Sequence, residues 1–324
     1  MLTSQLQADI PGPGWDDQLI RSGGHFLQSS AWLRVQQALG YPVVWDRAAP
    51  WQWAGAVRPG TFPRYLYVPY GPAAGGDISE ALHSVIAAAR THHLDFARVE
   101  PLRVDQVPDV ASLHGRRVRS IQPRWTWVLD ISADERELRR GLEAGHRSRI
   151  NAAPRRGISI RCSRDPDDVG TFLAVQRRAA VRTGFRRMPD AYHRTVASVL
   201  MPIDAAAVYV AEAEGEAVAA SICYDFGPTR YYAHSASDPV EGRRLGAGPP
   251  LLWQMILDAR AAGRSAFDFW GVTNDDDPRH PWAGFTRFKM AFGGRLLERA
   301  GTWDLPTRQT RYRIYSIAQR IRPR

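Results

Sequence analysis

Apolar and polar residues recur in the same order of short patterns twice along this chain of 324 residues. In the first half, β-branched and aromatic residues dominate short runs at 53–58 and 65–70, and apolar residues recur with a helical period at 79–91. Another short apolar run follows at 96–100. These patterns predict two strands, a helix and a closing strand.

The second half repeats this order with weak sequence similarity. Strand-like runs lie at 217–225 and 230–234. A glycine-rich loop at 241–248 leads into a helical pattern at 250–262, and a run at 266–270 closes the unit. Two strand–strand–helix–strand units predict an α/β (α+β) fold built by duplication, with a cleft between its two halves.

An arginine-rich segment lies between the two units. Residues 134–153 carry five arginines in a helical pattern, and Pro154 ends the pattern because proline lacks the N–H that a helix needs. We therefore expect one domain at 1–153 and a second domain at 154–304.

The C-terminal segment has the pattern of an amphipathic helix. Its apolar residues Ile314, Ile317, Ala318 and Ile321 are spaced i, i+3, i+4, i+7, and arginines surround them. We expect a helix within 305–324 that packs back on the first domain. Contact with an anionic membrane surface is the alternative interpretation.

Composition and charge narrow the partners and the compartment. The net charge of +10 favours a polyanionic partner: RNA, a nucleotide-linked sugar or an anionic membrane surface. Cys162 and Cys223 form no metal-binding pattern, and no apolar run approaches the roughly 18 residues of a membrane helix. The N-terminal residues lack the apolar core of a targeting signal. We expect a cytoplasmic protein with no bound metal and no integral membrane segment, and peripheral contact with the inner membrane face as a further option.

Lys289 is the one lysine among 43 basic residues, and all the others are arginines. An ammonium is a compact charge on a flexible stem, whereas a guanidinium is a planar fork that stays protonated. A single lysine in a chain that otherwise uses arginine is a candidate catalytic residue. A coding accident on a solvated helix explains it equally well. No G-x-x-x-x-G-K-[ST] loop surrounds it, which excludes that type of ATP site.

The loop before the second long helix contains Arg243, Gly246 and Gly248 in an R-x-x-G-x-G spacing. This spacing resembles the pyrophosphate loop of acyl-CoA N-acyltransferases (the GNAT fold), in which glycines let backbone N–H groups approach a phosphate. Glycine-rich loops before helices are common, so an ordinary turn is the competing interpretation.

A set of short blocks extends over nearly the whole chain. The most specific is F-K-M-A-F-G-G, which contains Lys289 and lies within 284–294. The others lie at 26–32, 69–72, 97–101, 146–153, 267–271, 277–281 and 301–302. Their content and order resemble the Fem-type (FemA/FemB/FemX) aminoacyl-tRNA-dependent peptidyltransferases, in the short form without a long coiled-coil arm.

This resemblance implies two tandem GNAT-like acyltransferase domains and attack by a peptide amine on the ester of an aminoacyl-tRNA. It places Lys289 in an exposed catalytic channel, and Glu100 where the family usually has an aspartate. Arg34 and Arg187 correspond to its phosphate-contacting basic residues. The remaining residues that we expect to bind substrate are Trp32, Tyr70, Arg147, Tyr192 and Tyr232.

The implied reaction needs neither ATP nor a cofactor, because an aminoacyl ester is already activated. An amino acid would pass from charged tRNA to an amine of a peptidoglycan precursor, either UDP-MurNAc-pentapeptide or its lipid-linked form. Lys289 would stabilise the tetrahedral oxyanion, and Glu100 or the substrate itself would take the proton.

Three alternatives remain open. The first is a tRNA-dependent aminoacyltransferase that acts on a small peptide or nucleoside natural product. The second is an acyl-CoA N-acyltransferase, which only the R-x-x-G-x-G spacing favours. The third is a non-enzymatic RNA-binding protein, which only the charge favours.

Overall fold

The computed structural model describes residues 9–184 and 187–321. The helices are α1 Trp15–Arg21, α2 Ser30–Ala38, α3 Ser79–Thr91, α4 Val107–Ser112, α5 Glu135–Gly141, α6 Ala144–Ala152, α7 Val169–Thr183, α8 Asp190–Leu200, α9 Glu241–Leu245, α10 Gly248–Ala261, α11 Ala283–Met290 and α12 Gln309–Ile321. The strands are β1 Val43–Ala48, β2 Trp51–Arg58, β3 Tyr65–Val68, β4 Ala73–Ala74, β5 Phe96–Val99, β6 Arg116–Val118, β7 Trp125–Asp130, β8 Ser159–Ser163, β9 Ala206–Ala213, β10 Glu216–Phe226, β11 Thr229–Ser237, β12 Ala266–Gly271, β13 Arg295–Glu298 and β14 Thr302–Pro306.

The first of two compact units contains, among the described residues, 9–124 and 298–321. Its sheet has the strand order β1-β2-β3-β5-β14-β6, and β4 pairs with β2 at the side. β3 and β5 are parallel neighbours, whereas the other pairs are antiparallel. Helix α3 packs its apolar face on this sheet, where Trp53 Nε1 donates to Ser84 Oγ at 3.0 Å.

The second compact unit is formed by the described part of 125–297. Its sheet has the order β13-β7-β12-β11-β10-β9-β8, and β11 and β12 are parallel. Side chains of α10 and β12 form the centre of its core, among them Trp253, Ile256, Phe267 and Phe269, all of which are buried.

Both units contain the repeated order that the hydrophobic pattern predicts. β2, β3, α3 and β5 form it in the first unit, and β10, β11, α10 and β12 form it in the second. In each unit the helix joins two neighbouring parallel strands, a connection that a tight turn cannot make. The predicted duplicated α/β architecture is therefore confirmed.

The boundary between the units differs from the prediction. It lies at 124/125 rather than 153/154, and the second unit ends at residue 297 rather than 304. Residues 125–153 belong to the second unit because β7 pairs with β12 and α6 packs on α10. β14 belongs to the first unit because it pairs with β5. These pairings join segments that are far apart in sequence, which a local pattern cannot reveal.

The single helix predicted at 134–153 is wrong, because the structure has two helices there, α5 and α6. Gly141, a residue of low helix propensity, ends α5, and Leu142 is extended (φ −68°, ψ 140°) with a buried side chain. The backbone N–H of Glu143 then donates to the carbonyl oxygen of Ala291 at 2.9 Å. This long-range hydrogen bond gives the Glu143 N–H an acceptor where the helix is interrupted.

Helix α12 lies in the first unit, and Gln309–Ile321 is its described extent within the predicted 305–324. Residues 322–324 lie outside the described residues. Tyr312 of this helix is 3% exposed, and its hydroxyl donates to Asp304 Oδ2 at 3.0 Å. The helix is thus attached to β14 by a buried hydrogen bond.

Two features are absent from the described part of the chain, residues 9–184 and 187–321. No helix there is long and apolar enough to cross a membrane. No group of three or more His, Cys, Asp or Glu side chains there is placed to hold a metal ion. Residues 1–8, which belong to the segment read for a targeting signal, lie outside the described residues.

Candidate active site

Lys289 lies on α11, where this helix meets the end of β12. Its side chain is 8% exposed, and its Nζ donates a hydrogen bond to the carbonyl oxygen of Gly271 at 2.6 Å. The ammonium also lies 5.1 Å from the ring centroid of Phe285 and 5.9 Å from that of Tyr232. An ammonium has three N–H donors, so the bond to Gly271 leaves two of them for a substrate oxygen.

The end of β12 is shaped so that the Gly271 carbonyl meets Lys289. Trp270 has a left-handed backbone (φ 63°), which is uncommon for a residue with a side chain. Asp268 holds this conformation, because its Oδ1 accepts from the Trp270 N–H at 2.7 Å and from the Thr126 hydroxyl. Pairing between β12 and β7 is irregular over the same residues. A buried carboxylate therefore positions the acceptor that holds the lysine.

The aromatic and glycine residues of the F-K-M-A-F-G-G block serve packing. Phe288 and Phe292 contact His146, whose Nε2 lies 3.1 Å from the Phe288 carbonyl oxygen. Gly294 has a φ of 104°, and a Cβ there would lie 2.6 Å from the carbonyl oxygen of Val128. Only glycine fits so close an approach at this backbone conformation. The block thus fixes the end of α11 against α6 and β7.

Burial changes the expected environment of Lys289. The prediction that it is an exposed channel residue is wrong, because aromatic side chains and the strand end cover it. Burial lowers the pKa of Lys289 to about 8, and the negative charge of Asp268 opposes this shift. With that pKa, about nine in ten molecules carry the ammonium at pH 7. The side chain is a cationic donor at neutral pH and loses its charge not far above it.

Glu100 lies in the first unit, directly after β5, and is 2% exposed. Its Oε2 accepts from the Tyr67 hydroxyl at 2.6 Å, and its Oε1 accepts from the Gln122 N–H at 2.9 Å and from the Thr302 hydroxyl. Burial raises the pKa of Glu100, and these hydrogen bonds oppose the shift. Because both carboxylate oxygens are occupied, the geometry suits a residue that joins β3, β5 and β14 better than a free general base.

The other residues predicted in the first unit differ in exposure. Trp32 is 9% exposed on α2, whereas Arg34 on the same helix has an exposed side chain. Tyr70 is 3% exposed, its ring lies 4.4 Å from that of His25, and its hydroxyl donates to the Pro123 carbonyl at 2.9 Å. Within this unit, Arg34 is thus the predicted substrate residue that presents its side chain to solvent.

In the second unit, Arg187 precedes α8 by three residues, and Tyr192 lies in the first turn of this helix. Arg187 Nη1 donates to Asp190 Oδ1 at 2.6 Å, so its charge already has a partner. Tyr192 packs against His234, with ring centroids 6.2 Å apart. A phosphate at Arg187 would have to share the guanidinium with Asp190.

Within the second unit, Tyr232 is the predicted substrate residue that the structure places beside Lys289. Burial raises the pKa of Tyr232, so its hydroxyl stays protonated and can donate a hydrogen bond at neutral pH. Arg147 lies half-buried on α6. The sequence thus identified the lysine and one of its neighbours, but not Asp268 or the bent strand end.

The glycine-rich loop folds differently from the prediction, because its first part is helix α9. The N–H of Gly246 (φ 68°) donates to the carbonyl oxygen of Arg243 at 3.2 Å. Helix α10 begins at Gly248 and continues with Pro249 and Pro250, which have no N–H. The first turn of α10 therefore lacks two of the donors that bind an anion at a helix N-terminus, which counts against a pyrophosphate loop.

A buried histidine pair in the second unit was not predicted. His193 of α8 and His234 of β11 have ring centroids 4.7 Å apart and perpendicular planes. Phe172 and Tyr192 pack around His193. His193 is 1% exposed, and neither of its ring nitrogens has a hydrogen-bond partner among the residues that the structure describes. The two histidines are far apart in sequence, so no local motif indicates the pair.

We expect this pair to make the protein less stable in mild acid. Burial lowers the pKa of His193 to about 4, with Asp190 opposing the shift and Arg187 adding to it, and burial lowers that of His234 to about 3. An unfolded histidine has a pKa of about 6.5, so below that pH the unfolded state binds more protons and stability falls. His193 alone should cost about 2 kcal/mol between pH 7 and pH 5.

Denaturant unfolding at these two pH values measures the effect. His193→Phe removes the titrating group and keeps a ring, so this variant should lose about 2 kcal/mol less than the wild type on acidification. His83, whose side chain is exposed, provides the control, because His83→Gln should retain the full pH dependence. Equal pH dependence in His193→Phe and the wild type would contradict the expectation.

The sequence is similar to those of known proteins. Residues 140–289 match the family described as acetyltransferase (GNAT) domain. The chain is also similar to lipid II:glycine glycyltransferase of Staphylococcus aureus (strain USA300), with 22% identity in an alignment that covers 63% of each chain. The chain thus spans less than two thirds of the length of the curated relatives it matches.

Solved structures confirm the fold. The crystal structure of FemX superposes with a TM-score of 0.82 at 17% identity, and the match covers 94% of this chain and 98% of FemX. A tandem GNAT protein from the clavulanic acid biosynthesis pathway superposes with a TM-score of 0.54 at 16% identity, covering 90% of this chain and 94% of that protein. None of the described helices forms a long arm. The chain is thus similar in sequence to a lipid II:glycine glycyltransferase, and it shares the fold of FemX, with two GNAT-like units.

Proposed function

We propose that this protein is an aminoacyltransferase that moves an amino acid from aminoacyl-tRNA to an amine of a peptidoglycan-precursor peptide. The observation that carries the proposal is the position of Lys289, which lies in the most specific Fem-type block. Its ammonium is buried and donates to the carbonyl oxygen of Gly271 at the bent end of β12. The name of the staphylococcal relative, lipid II:glycine glycyltransferase, supports a lipid-linked acceptor. A nucleotide-linked form of the same peptide has the same reacting amine.

The proposed reaction is aminolysis of an ester. The acceptor nitrogen attacks the ester carbonyl carbon, a C–N bond forms, and the carbonyl oxygen becomes an oxyanion. The two remaining N–H donors of Lys289 would stabilise that oxygen. The C–O bond to the tRNA ribose then breaks, and the ribose hydroxyl leaves with the proton that the amine loses. Because Glu100 is tied into hydrogen bonds, we favour transfer of this proton within the substrates.

The geometry of α10 weakens the acyl-CoA alternative. A GNAT-type pyrophosphate site uses backbone N–H groups at a helix N-terminus. Pro249 and Pro250 occupy those positions here. Aminoacyl-tRNA fits the chain better than acyl-CoA as the donor, because side chains rather than this loop can bind its phosphate backbone.

Exposed arginines of α6, α9 and the segment after α6 supply such a surface, which we call the basic surface: Arg149, Arg155, Arg156 and Arg243. The Arg149 side chain lies against Gly246, since a Cβ on that glycine would lie 3.1 Å from Arg149 Cδ. Arg156 Nη1 donates to the Leu245 carbonyl at 2.8 Å. In the described part of the chain, no acidic side chain forms an ion pair with these four arginines. We propose that tRNA phosphates bind here.

Replacing Arg149 and Arg155 by Gln should weaken tRNA binding about tenfold or more and lower the salt dependence of binding by about one unit of slope per lost phosphate contact. Filter binding of tRNA at several salt concentrations measures both effects. Arg182→Gln/Arg295→Gln is the matched control, because these arginines of the same unit are also exposed. An equal loss in both double variants would show only a general charge effect.

We propose that Arg34 binds a phosphate of the acceptor, and Arg187 is a separate candidate for phosphate contact. Arg34→Ala should raise the KM for the acceptor by about one decade and leave the KM for charged tRNA nearly unchanged. Arg187→Ala should have a smaller effect, because Asp190 already shares its charge. Steady-state kinetics with each substrate varied in turn measures this, and Arg21→Ala, which removes another exposed arginine of the first unit, is the control. An unchanged acceptor KM in Arg34→Ala would reject the assignment.

The proposed function is tested by supplying a pool of charged tRNA together with UDP-MurNAc-pentapeptide and following the acceptor by mass spectrometry. A mass increase equal to one amino-acid residue, abolished by prior RNase treatment, is expected. A pentapeptide without the sugar and diphosphate is the second acceptor, and its exclusive use would favour the small-peptide alternative. Acetylation of either acceptor from acetyl-CoA, with no aminoacyl transfer, would assign the protein to the acyl-CoA class.

A further inference from the structure

We propose that the outward face of helix α12 docks on an anionic lipid surface. The inward face of this helix is already used. The Tyr312 hydroxyl donates to Asp304, and the Tyr315 ring stacks on Phe96 with centroids 5.2 Å apart. Arg98, which is buried on β5, donates to both Asp304 and the Tyr315 hydroxyl. These contacts fix the rotation of the helix on the first unit and thereby decide which side chains point outward.

The outward face presents large apolar side chains to water. Ile314 and Ile317 are 55% and 56% exposed and lie about one helical turn apart on α12. Phe62 of the same unit is 39% exposed and lies beneath the Arg311 guanidinium, 5.0 Å from ring centroid to Cζ. Neighbouring exposed apolar side chains of this kind mark contact surfaces more often than isolated ones do.

Arginines flank these apolar side chains, and two of the described ones have no acidic partner. After Asp304 the sequence contains six arginines and no acidic residue. Arg308 and Arg313 are exposed, and within the described ranges neither has an acidic partner, whereas Arg311 is paired with Asp95. A helix with isoleucines at its centre and arginines beside them fits the boundary between phosphate headgroups and acyl chains.

The same features argue against other occupants. A nucleic acid would use the arginines but would gain little from burying two isoleucines. A second copy of this chain, docked through the same face, would bring like charges together. Helix α12 has 13 residues and is thus about 20 Å long, so we expect reversible, peripheral binding rather than insertion.

Co-sedimentation with vesicles tests the proposal and needs no substrate, so its outcome is independent of the proposed transferase activity. The wild type should bind vesicles of phosphatidylcholine and phosphatidylglycerol, bind pure phosphatidylcholine at least about tenfold more weakly, and lose binding at high salt. Ile314→Ser/Ile317→Ser and Arg308→Gln/Arg313→Gln should each weaken binding to the anionic vesicles by about tenfold or more.

Matched controls separate this face from the general basic surplus. Ile203→Ser/Val240→Ser replaces two side chains of the second unit that are both 53% exposed, and Arg21→Gln/Arg90→Gln replaces two exposed arginines of the first unit. Both controls should bind as the wild type does. Equal losses in controls and α12 variants would overturn the proposal. Equal binding to anionic and to pure phosphatidylcholine vesicles would also overturn it. So would an arginine variant that loses affinity for tRNA while the wild type binds no vesicles, or a wild-type dimer that Ile314→Ser/Ile317→Ser dissociates.

Discussion

Lys289→Met is expected to lower kcat by about 10²- to 10³-fold, the effect of losing one oxyanion donor. Methionine keeps the length and the apolar stem of the side chain, so the packing against Phe285 is largely retained while the ammonium is removed. Single-turnover rates with saturating substrates measure the effect. Circular dichroism of the same samples should show a fold close to that of the wild type, because only one hydrogen bond, to Gly271, is lost.

A second variant and the pH dependence of the rate test whether Lys289 acts as a cationic donor. Lys289→Arg should also be impaired, because a planar fork cannot replace an ammonium in a closed position 2.6 Å from the Gly271 carbonyl. The wild-type rate should fall as pH rises through about 8, because burial lowers the pKa of Lys289 to about 8 and the donor is then lost. A rate that rises through that pH in the wild type but not in Lys289→Met would show that Lys289 acts as a base. Full activity of Lys289→Met would make this lysine a coding accident.

Asp225→Ala is expected to destabilise the second unit by about 3–5 kcal/mol. Arg230 is 1% exposed, and its Nε and Nη2 donate to the two carboxylate oxygens of Asp225 at 2.8 and 2.7 Å. Removing the carboxylate would leave a buried guanidinium whose remaining acceptors are Tyr209 and Met255. Since Arg230 lies on β11, which also carries Tyr232, the loss would extend to the candidate site.

A double-mutant cycle measures this expectation. Arg230→Met/Asp225→Ala removes both charges and should be more stable than Asp225→Ala alone, because no unpaired charge is then buried. Unfolding in urea, followed by tryptophan fluorescence, gives the free energies. Asp275→Ala is the control, since Asp275 is exposed in the same unit. A cost for Asp225→Ala of less than about 1 kcal/mol would show that the pair contributes little.

The sequence predicted the parts of the fold that depend on local pattern. Helix α3 occupies the predicted 79–91. The predicted strands at 217–225 and 266–270 differ from β10 and β12 by no more than one residue at either end. These segments are buried parallel or central strands, or a helix packed on them, so their apolar residues form a clear signal. Lys289 was found because composition and motif both singled it out.

The remainder depends on contacts between distant residues. The domain boundary is set by the pairing of β7 with β12, and the break between α5 and α6 is satisfied by a hydrogen bond from Glu143 to Ala291. Burial of Lys289 and the role of Asp268 follow from the bend at Trp270, whose backbone conformation no sequence pattern indicated. Tertiary packing determines each of these features, so pattern and propensity alone could not reveal them.

The identity of the donor tests the central claim most directly. Labelled amino acids should be presented one at a time in ATP-free buffer, either as purified aminoacyl-tRNA or as the free amino acid, with UDP-MurNAc-pentapeptide or its lipid-linked form as acceptor. We predict that label enters the acceptor only from aminoacyl-tRNA, that an acceptor with an acetylated amine stays unlabelled, and that Lys289→Met transfers label at about 1% of the wild-type rate or less. Equal labelling from the free amino acid, or no transfer from any charged tRNA, would contradict the account.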